Sequence, residues 1–155
     1  MAGAEPMLRP HAVLFACGHN AVRSPMAAAF CRQLLGPSLY VASAGVRKDP
    51  LDPFAVAAMD EIGIDIMAHE PMTFEDLEEL EGLSFDLIVT LSPEAHHKAL
   101  ALTHRIAAAV EYWPTADPTA VEGNRDQRLA AYRAVRDQLM DRILARLTPP
   151  TVAQA

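Results

Sequence analysis

Val13-Leu14-Phe15-Ala16-Cys17-Gly18-His19-Asn20-Ala21-Val22-Arg23-Ser24-Pro25-Met26 is the stretch that decides the fold. An apolar run ends in a thiol, a loop of small and turn-tolerant residues follows, and an arginine and a Ser-Pro pair open a helix. Ser24 reads as the N-cap and Pro25 as the first-turn residue whose missing N–H costs nothing. Met26 to Leu35 is rich in helix formers, and Gly36-Pro37 stops the run. A helix N-terminus presents free N–H groups and the positive end of its dipole, so anions bind there. Gly18 and Asn20 can take the dihedrals that turn successive amides inward as a nest. Arg23 can set a planar fork against two oxygens of a tetrahedral oxyanion. The same positive field favours a thiolate on Cys17, and Ser24 can donate to it. A nucleophile needs that help, because a free thiol is mostly protonated at neutral pH. A cysteine at a strand end is usually a small buried hydrophobe. The full context instead favours a phosphate-sized cradle with a nucleophile at its centre.

The rest of the chain bounds the reading. At 155 residues and 51% hydrophobic, it has enough apolar material for one compact domain with a real core. Its longest apolar runs are too short to span a membrane. Met1 to Pro10 has no apolar h-region, so no secretory signal is expected there. A net charge of −7 argues against nucleic-acid or membrane partners. The two cysteines, Cys17 and Cys31, make neither a disulfide framework nor a zinc site, and a reducing cytoplasm suits a nucleophilic thiol.

The hydrophobic pattern alternates between strand and helix. Near-continuous apolar runs predict strands over His11–Ala16, Leu39–Ser43, Phe85–Leu91 and Ile106–Tyr112, as in a parallel sheet covered on both faces. Helices are predicted over Pro25–Leu35, Pro53–Ile62, Phe74–Leu80, Pro93–Leu102 and Gln127–Leu147, with Thr73 and Asp76 as a capping box for the third. Frayed ends are expected over Met1–Arg9 and Thr148–Ala155. Ligands in such α/β sheets bind beyond the carboxyl ends of the strands, where the Cys17 loop falls.

A thiolate attacking a phosphate ester needs a proton donor for the leaving oxygen. Asp117, in the Pro-flanked loop Tyr112-Trp113-Pro114-Thr115-Ala116-Asp117-Pro118 after the fourth strand, is the candidate, with Glu111 and Glu122 as competitors. Asp-Pro is also a common turn opener, so spacing alone leaves this role open.

Cys-x5-Arg-Ser-Pro after the first strand, Ala42-Ser43-Ala44-Gly45 at the second and Asp117-Pro118 after the fourth resemble the low-molecular-weight protein tyrosine phosphatase family. The related thioredoxin-coupled arsenate reductases share the fold. The resemblance runs from about His11 to Leu147. It implies a single-domain α/β fold over 1–155, ordered from about 10 to 148. Its four-stranded parallel sheet is flanked by helices in the flavodoxin-like order 2-1-3-4. It also implies that Cys17 is a nucleophile forming a phosphocysteine, and that Arg23 and the amides of Gly18, His19, Asn20, Ala21, Val22 and Ser24 hold the phosphoryl oxygens. Asp117 then serves as acid and afterwards as base. Ser24 steadies the thiolate, and Asn20, Ser43 and His69 brace the loop. The implied partners are a phosphorylated protein or small phosphoester and oxyanions such as phosphate, sulfate or arsenate, with no cofactor and no metal.

The departures matter. Val22 stands where the family usually has a second cysteine that protects the nucleophile, and His19 stands in place of a usual glycine. Cys-x-His-Asn-Ala-x-Arg-Ser resembles the loop of some arsenate reductases, including forms that use a small thiol. The redox cysteines of the thioredoxin-coupled enzymes are absent, with Leu91-Ser92 where one would fall, and Pro25 matches the phosphatases. Cys31 is expected in the core. Val46-Arg47-Lys48-Asp49 and Thr119-Ala120 supply no aromatic wall, and Arg47 and Lys48 are placed to recruit an acidic substrate. His96-His97 reads as a solvated helix start, and Glu75 to Glu81 as a solvated acidic face. Three readings follow: a phosphomonoesterase, probed with aryl phosphate; an arsenate reductase using glutathione or mycothiol; and an oxyanion-binding module without turnover.

Overall fold

The computed structural model describes residues 9–148. The expectations for Met1–Leu8 and Pro149–Ala155 lie outside them. Four parallel strands, β1 (Ala12–Cys17), β2 (Tyr40–Gly45), β3 (Leu87–Thr90) and β4 (Ala109–Tyr112), form one sheet in the order β2-β1-β3-β4. Five α-helices flank it: α1 (Arg23–Leu35), α2 (Pro53–Asp60), α3 (Phe74–Glu81), α4 (Pro93–Leu102) and α5 (Arg125–Leu147). The architecture and strand order are those expected from the sequence.

The alternation of side chains along a strand sorts the core into two layers. Val13, Phe15 and Cys17 of β1 face α1, α2 and α5, together with Val89, Tyr132, Leu139 and Ile143. Leu14 and Ala16 face α3 and α4, with Phe74, Leu77, Ile88 and Ala99. Cys17 is the last residue of β1, so strand parity aims its sulfur at the layer that α1 and α5 cover. Caps fix the helix starts. Asp52 accepts from the Phe54 amide, Ser92 from Ala95, and Thr73–Asp76 and Asn124–Gln127 are reciprocal capping boxes.

Some boundaries differ from the sequence reading. β1 and β2 run on to Cys17 and Gly45, whereas β4 loses Ile106–Ala108 and β3 loses both ends of Phe85–Leu91. Helix α1 starts at Arg23 with Val22 at its N-cap position and no side-chain cap. Ser24 is therefore not the cap, because its hydroxyl is committed to Cys17 and Asn20. The acidic face of α3 is not merely solvated: Glu75 pairs with Lys98 of α4, and Glu78 with Arg105 in the turn that follows α4. His96 is not a free helix start either. Its Nδ1 lies 3.0 Å from Thr90 Oγ1 and its ring stacks on Tyr112. Cys31 is buried, and burial pushes its thiol up to about 12. No helix of the described residues is long and apolar enough to cross a membrane.

Gly45 marks where the sheet meets the Cys17 loop. A Cβ there would stand 2.4 Å from Arg47 O and 2.8 Å from Asn20 N, both backbone atoms. Gly45→Ala is expected to cost about 1–3 kcal/mol of stability by overpacking, read as a lower urea midpoint at an unchanged slope. An unchanged midpoint would contradict this close approach.

Candidate active site

The loop after β1 is shaped from outside. Five consecutive carbonyls, those of residues 17 to 21, each accept from a partner behind the loop. Val46 N donates to Cys17 O at 3.2 Å, Arg47 N to Gly18 O at 2.8 Å, Asp49 N to His19 O at 3.1 Å and Asp52 N to Ala21 O at 3.1 Å. His69 Nε2 donates to Asn20 O at 3.2 Å. Burial holds the His69 ring below its ordinary pKa, so the neutral ring with hydrogen on Nε2 fits this bond. With the carbonyls drawn outward, the amides face the other way. Those of His19, Ala21, Val22 and Arg23 have no backbone acceptor among the described residues.

Asn20 carries the turn. Its φ of 54° lies in the left-handed region that Asn tolerates. Gly18 does not take a positive φ, so the loop needs one such residue rather than the two expected. The Asn20 side chain is fully buried and satisfied. Nδ2 donates to Ser24 Oγ at 2.8 Å and Ser43 Oγ at 3.0 Å, and Oδ1 accepts from Met72 N at 2.8 Å. Its own amide donates to Cys17 Sγ at 3.3 Å. Ser24 Oγ lies 2.9 Å from Sγ. Because that oxygen already accepts from Asn20, its hydrogen is free to point at sulfur, the arrangement a thiolate favours.

Arg23 is 9% exposed and donates from Nη1 to Thr115 O at 2.9 Å. It forms no ion pair among the described residues, and a buried cation without a counter-ion is costly. An oxyanion in the loop removes that cost. The Thr115 loop is anchored by Trp113, whose ring meets Phe15 edge to face at 6.1 Å, a contact worth about 1 kcal/mol beyond area burial.

Asp117 lies two residues further and lines one cleft of about 550 Å³ with Cys17, His19, Ala21, Val22 and Arg23. Partial burial pushes its carboxyl up. The Thr119 hydroxyl at 2.7 Å and amide at 2.9 Å, with Arg23 nearby, outweigh that and hold it below the ordinary carboxylate range. The competitors stand elsewhere. Glu111 accepts from Trp113 Nε1 and Arg146, and Glu122 is exposed and does not line the cleft. Among the described residues no group of three or more His, Cys, Asp or Glu side chains is placed to hold a metal.

Two expectations about the substrate side are corrected. The cleft does have an aromatic wall, Phe54 of α2, which lies outside both Val46–Asp49 and Thr119–Ala120. Arg47 and Lys48 are not the bare cations expected: exposed ion pairs with Glu94 and Asp76, each at 2.7 Å, partly neutralise them. Arg128 of α5 also lines the cleft and had no signal in the sequence beyond its position on the helix. His19 Nδ1 lies 2.8 Å from Asp49 Oδ2 without making a hydrogen bond.

Residues 12–149 match the family model for low molecular weight phosphotyrosine protein phosphatase. Arsenate reductase of Bacillus subtilis is 34% identical over 131 residues, which are 84% of this chain and 91% of that protein. Among solved structures, a tyrosine phosphatase of Erwinia amylovora superposes with a TM-score of 0.72 at 18% identity, covering 93% of this chain and 94% of the other. An arsenate reductase in its phosphate-binding state superposes with a TM-score of 0.65 at 27% identity, covering 91% and 100%. With the family model spanning nearly all of the described fold, this chain belongs to the low molecular weight phosphotyrosine protein phosphatase family.

Proposed function

We propose that this protein is a cysteine-dependent phosphomonoesterase of the tyrosine phosphatase type, working through a phosphocysteine intermediate. One observation carries the reading. A buried arginine without an ion-pair partner, a hydrogen-bonded thiol and a carboxylate line the same cleft. The Cys17 thiolate attacks phosphorus while Arg23 and the loop amides hold the non-reacting oxygens. The bond to the leaving oxygen breaks, and Asp117 supplies that oxygen with a proton. Asp117, now a carboxylate, takes a proton from water. The water oxygen attacks phosphorus, the P–S bond breaks, and inorganic phosphate leaves with the thiolate restored. Asn20, Ser43 and His69 act as positioning residues for this loop. A nucleophilic thiol suits a reducing compartment, so the cytoplasm is the proposed location.

A second reading is arsenate reduction, favoured by relatives bearing that name and by the run His19-Asn20-Ala21. Cys31 is buried with its thiol pushed up to about 12, which makes it a poor resolving group. An external thiol such as glutathione or mycothiol would attack the Cys17 adduct. The two sulfurs would give up two electrons, leaving a mixed disulfide and arsenite. Side-by-side assays separate the readings. Arsenite release that requires an added thiol, without ester turnover, supports the second. Binding of phosphate or sulfate without either reaction supports an oxyanion-binding module.

On the first reading, a small aryl phosphate is hydrolysed at mildly acidic pH, and Cys17→Ser lowers kcat by at least about a thousandfold. Asp117→Asn slows esters with poor leaving groups by about a hundredfold or more; with activated aryl esters it spares only the first release of phenol, because the second step still lacks its base. Cys17-independent turnover would contradict the assignment.

The pH dependence follows from the depressed Asp117 carboxyl. Its acid form, needed in the first step, disappears as pH rises through a pKa below the ordinary range, so kcat/KM for a poor leaving group falls early on the alkaline side. Thr119→Val removes the hydroxyl that favours the carboxylate. The Asp117 pKa then rises, and that limb of the profile moves to higher pH. A limb that stays in place would separate Asp117 from the proton transfer.

A further inference from the structure

The cleft holds two cations, and the catalytic reading uses only Arg23. Arg128 projects from the first turns of α5 with its guanidinium carbon 4.6 Å from the centroid of the Phe54 ring, and Arg125 lies 5.6 Å from the same ring. Phe54 is itself fixed. It stacks on Tyr132 at 5.2 Å, and the Tyr132 hydroxyl donates to Asp52 Oδ2 at 2.6 Å. Asp52 is also the residue whose amide holds Ala21 O and whose side chain caps α2. The ring that supports Arg128 is therefore braced by the same residue that braces the oxyanion loop.

Its place in the cleft distinguishes Arg128. Elsewhere Arg47, Lys48, Lys98, Arg105, Arg133 and Arg146 are each paired with a carboxylate, while Arg125 and Arg142 form no ion pair among the described residues but do not line the cleft. Among the described residues Arg128 has no ion-pair partner, although three carboxylates line its cleft. Two of the three are engaged, Asp52 by Tyr132 and the Phe54 amide and Asp117 by Thr119, while Asp49 is exposed and lies beside His19 without a hydrogen bond to it. A guanidinium resting over an aromatic ring still has N–H donors to offer an anion. The chain carries a net charge of −7, so its overall field does not recruit anions, and a local cation must do so. A cleft of about 550 Å³ holds a phosphoryl group together with a ring-sized leaving group.

We propose that Arg128, supported on Phe54, is a specificity-determining residue that selects phosphomonoesters whose leaving group carries a negative charge of its own. This rests on the phosphomonoesterase reading: Arg23 takes the phosphoryl oxygens and Arg128 takes the second anion.

The test uses 4-(carboxymethyl)phenyl phosphate and the corresponding primary amide, which share a ring and differ mainly in that charge. The wild-type protein is expected to favour the acid over the amide in kcat/KM by about tenfold, the size of one charge-assisted hydrogen bond, with the difference in KM. Added salt narrows the preference. Arg128→Gln brings the ratio to about one, whereas Arg128→Lys retains part of it. A merely structural role would lower both esters alike and leave the ratio standing. Turnover of both esters with no preference in the wild type, or a ratio that survives Arg128→Gln, overturns the role of Arg128 and leaves the phosphomonoesterase reading intact. Turnover of neither ester, in a protein shown to be folded, overturns both.

Discussion

Five successive carbonyls pulled away from the cleft are the constraint on which the site depends. Peptide planarity couples each carbonyl to the next residue's amide, so fixing residues 17 to 21 from behind leaves the amides little choice but to face inward. His69 holds one of the five, Asn20 O, and the strap that holds the other four, residues 46 to 52, is the link between β2 and α2. Its course requires Gly45, because any Cβ there would meet the backbone of both the strap and the loop. It ends in Asp52, which caps α2 while its amide holds Ala21 O. Loop, sheet edge and helix start are thus one hydrogen-bonded unit.

Within that unit the polar side chains are spent on geometry. Asn20 gives up every side-chain hydrogen-bonding group to fix a left-handed turn, with Ser43, Ser24 and the Met72 amide as partners. Ser24 gives up the usual work of a helix cap to stand beside the Cys17 sulfur. Arg23 is buried against a carbonyl rather than a carboxylate, leaving its charge for a ligand. Each choice is unfavourable for isolated stability and sensible for anion binding. Such departures from local preference gather where function is carried.

Much of this was legible in the sequence because it is local or strongly patterned. The apolar runs mark the strands, Pro25, Pro53, Pro93 and the Thr73–Asp76 box mark four helix starts, the apolar stripe marks the last helix, Asp117 stands out in its Pro-flanked loop, and the family resemblance adds Ser43 and His69 from distant segments. What was not legible depends on side chains meeting across the fold. Arg47 and Lys48 look free in the sequence and are paired with Glu94 and Asp76 in three dimensions. His96 looks solvated and lies between Thr90 and Tyr112. Neither the residues after Asp117 nor the loop after β2 supplies an aromatic wall, yet Phe54 of α2 does, stacked on Tyr132 of a helix far along the chain. Strand ends moved for a related reason: pairing is set by neighbours, and a single segment's composition does not reveal where a ladder stops.

The central claim is that a covalent phosphoryl group passes through Cys17. Rapid mixing of the Asp117→Ala variant with an activated aryl phosphate, followed by acid quench and peptide mass analysis, tests it directly. The variant can still expel a good leaving group but lacks the base for the second step. The account predicts that the peptide containing Cys17 gains the mass of one phosphoryl group on the thiol, and that the adduct decays slowly. Release of phenol with no phosphoryl group on that peptide, or with the group on another residue, would contradict it.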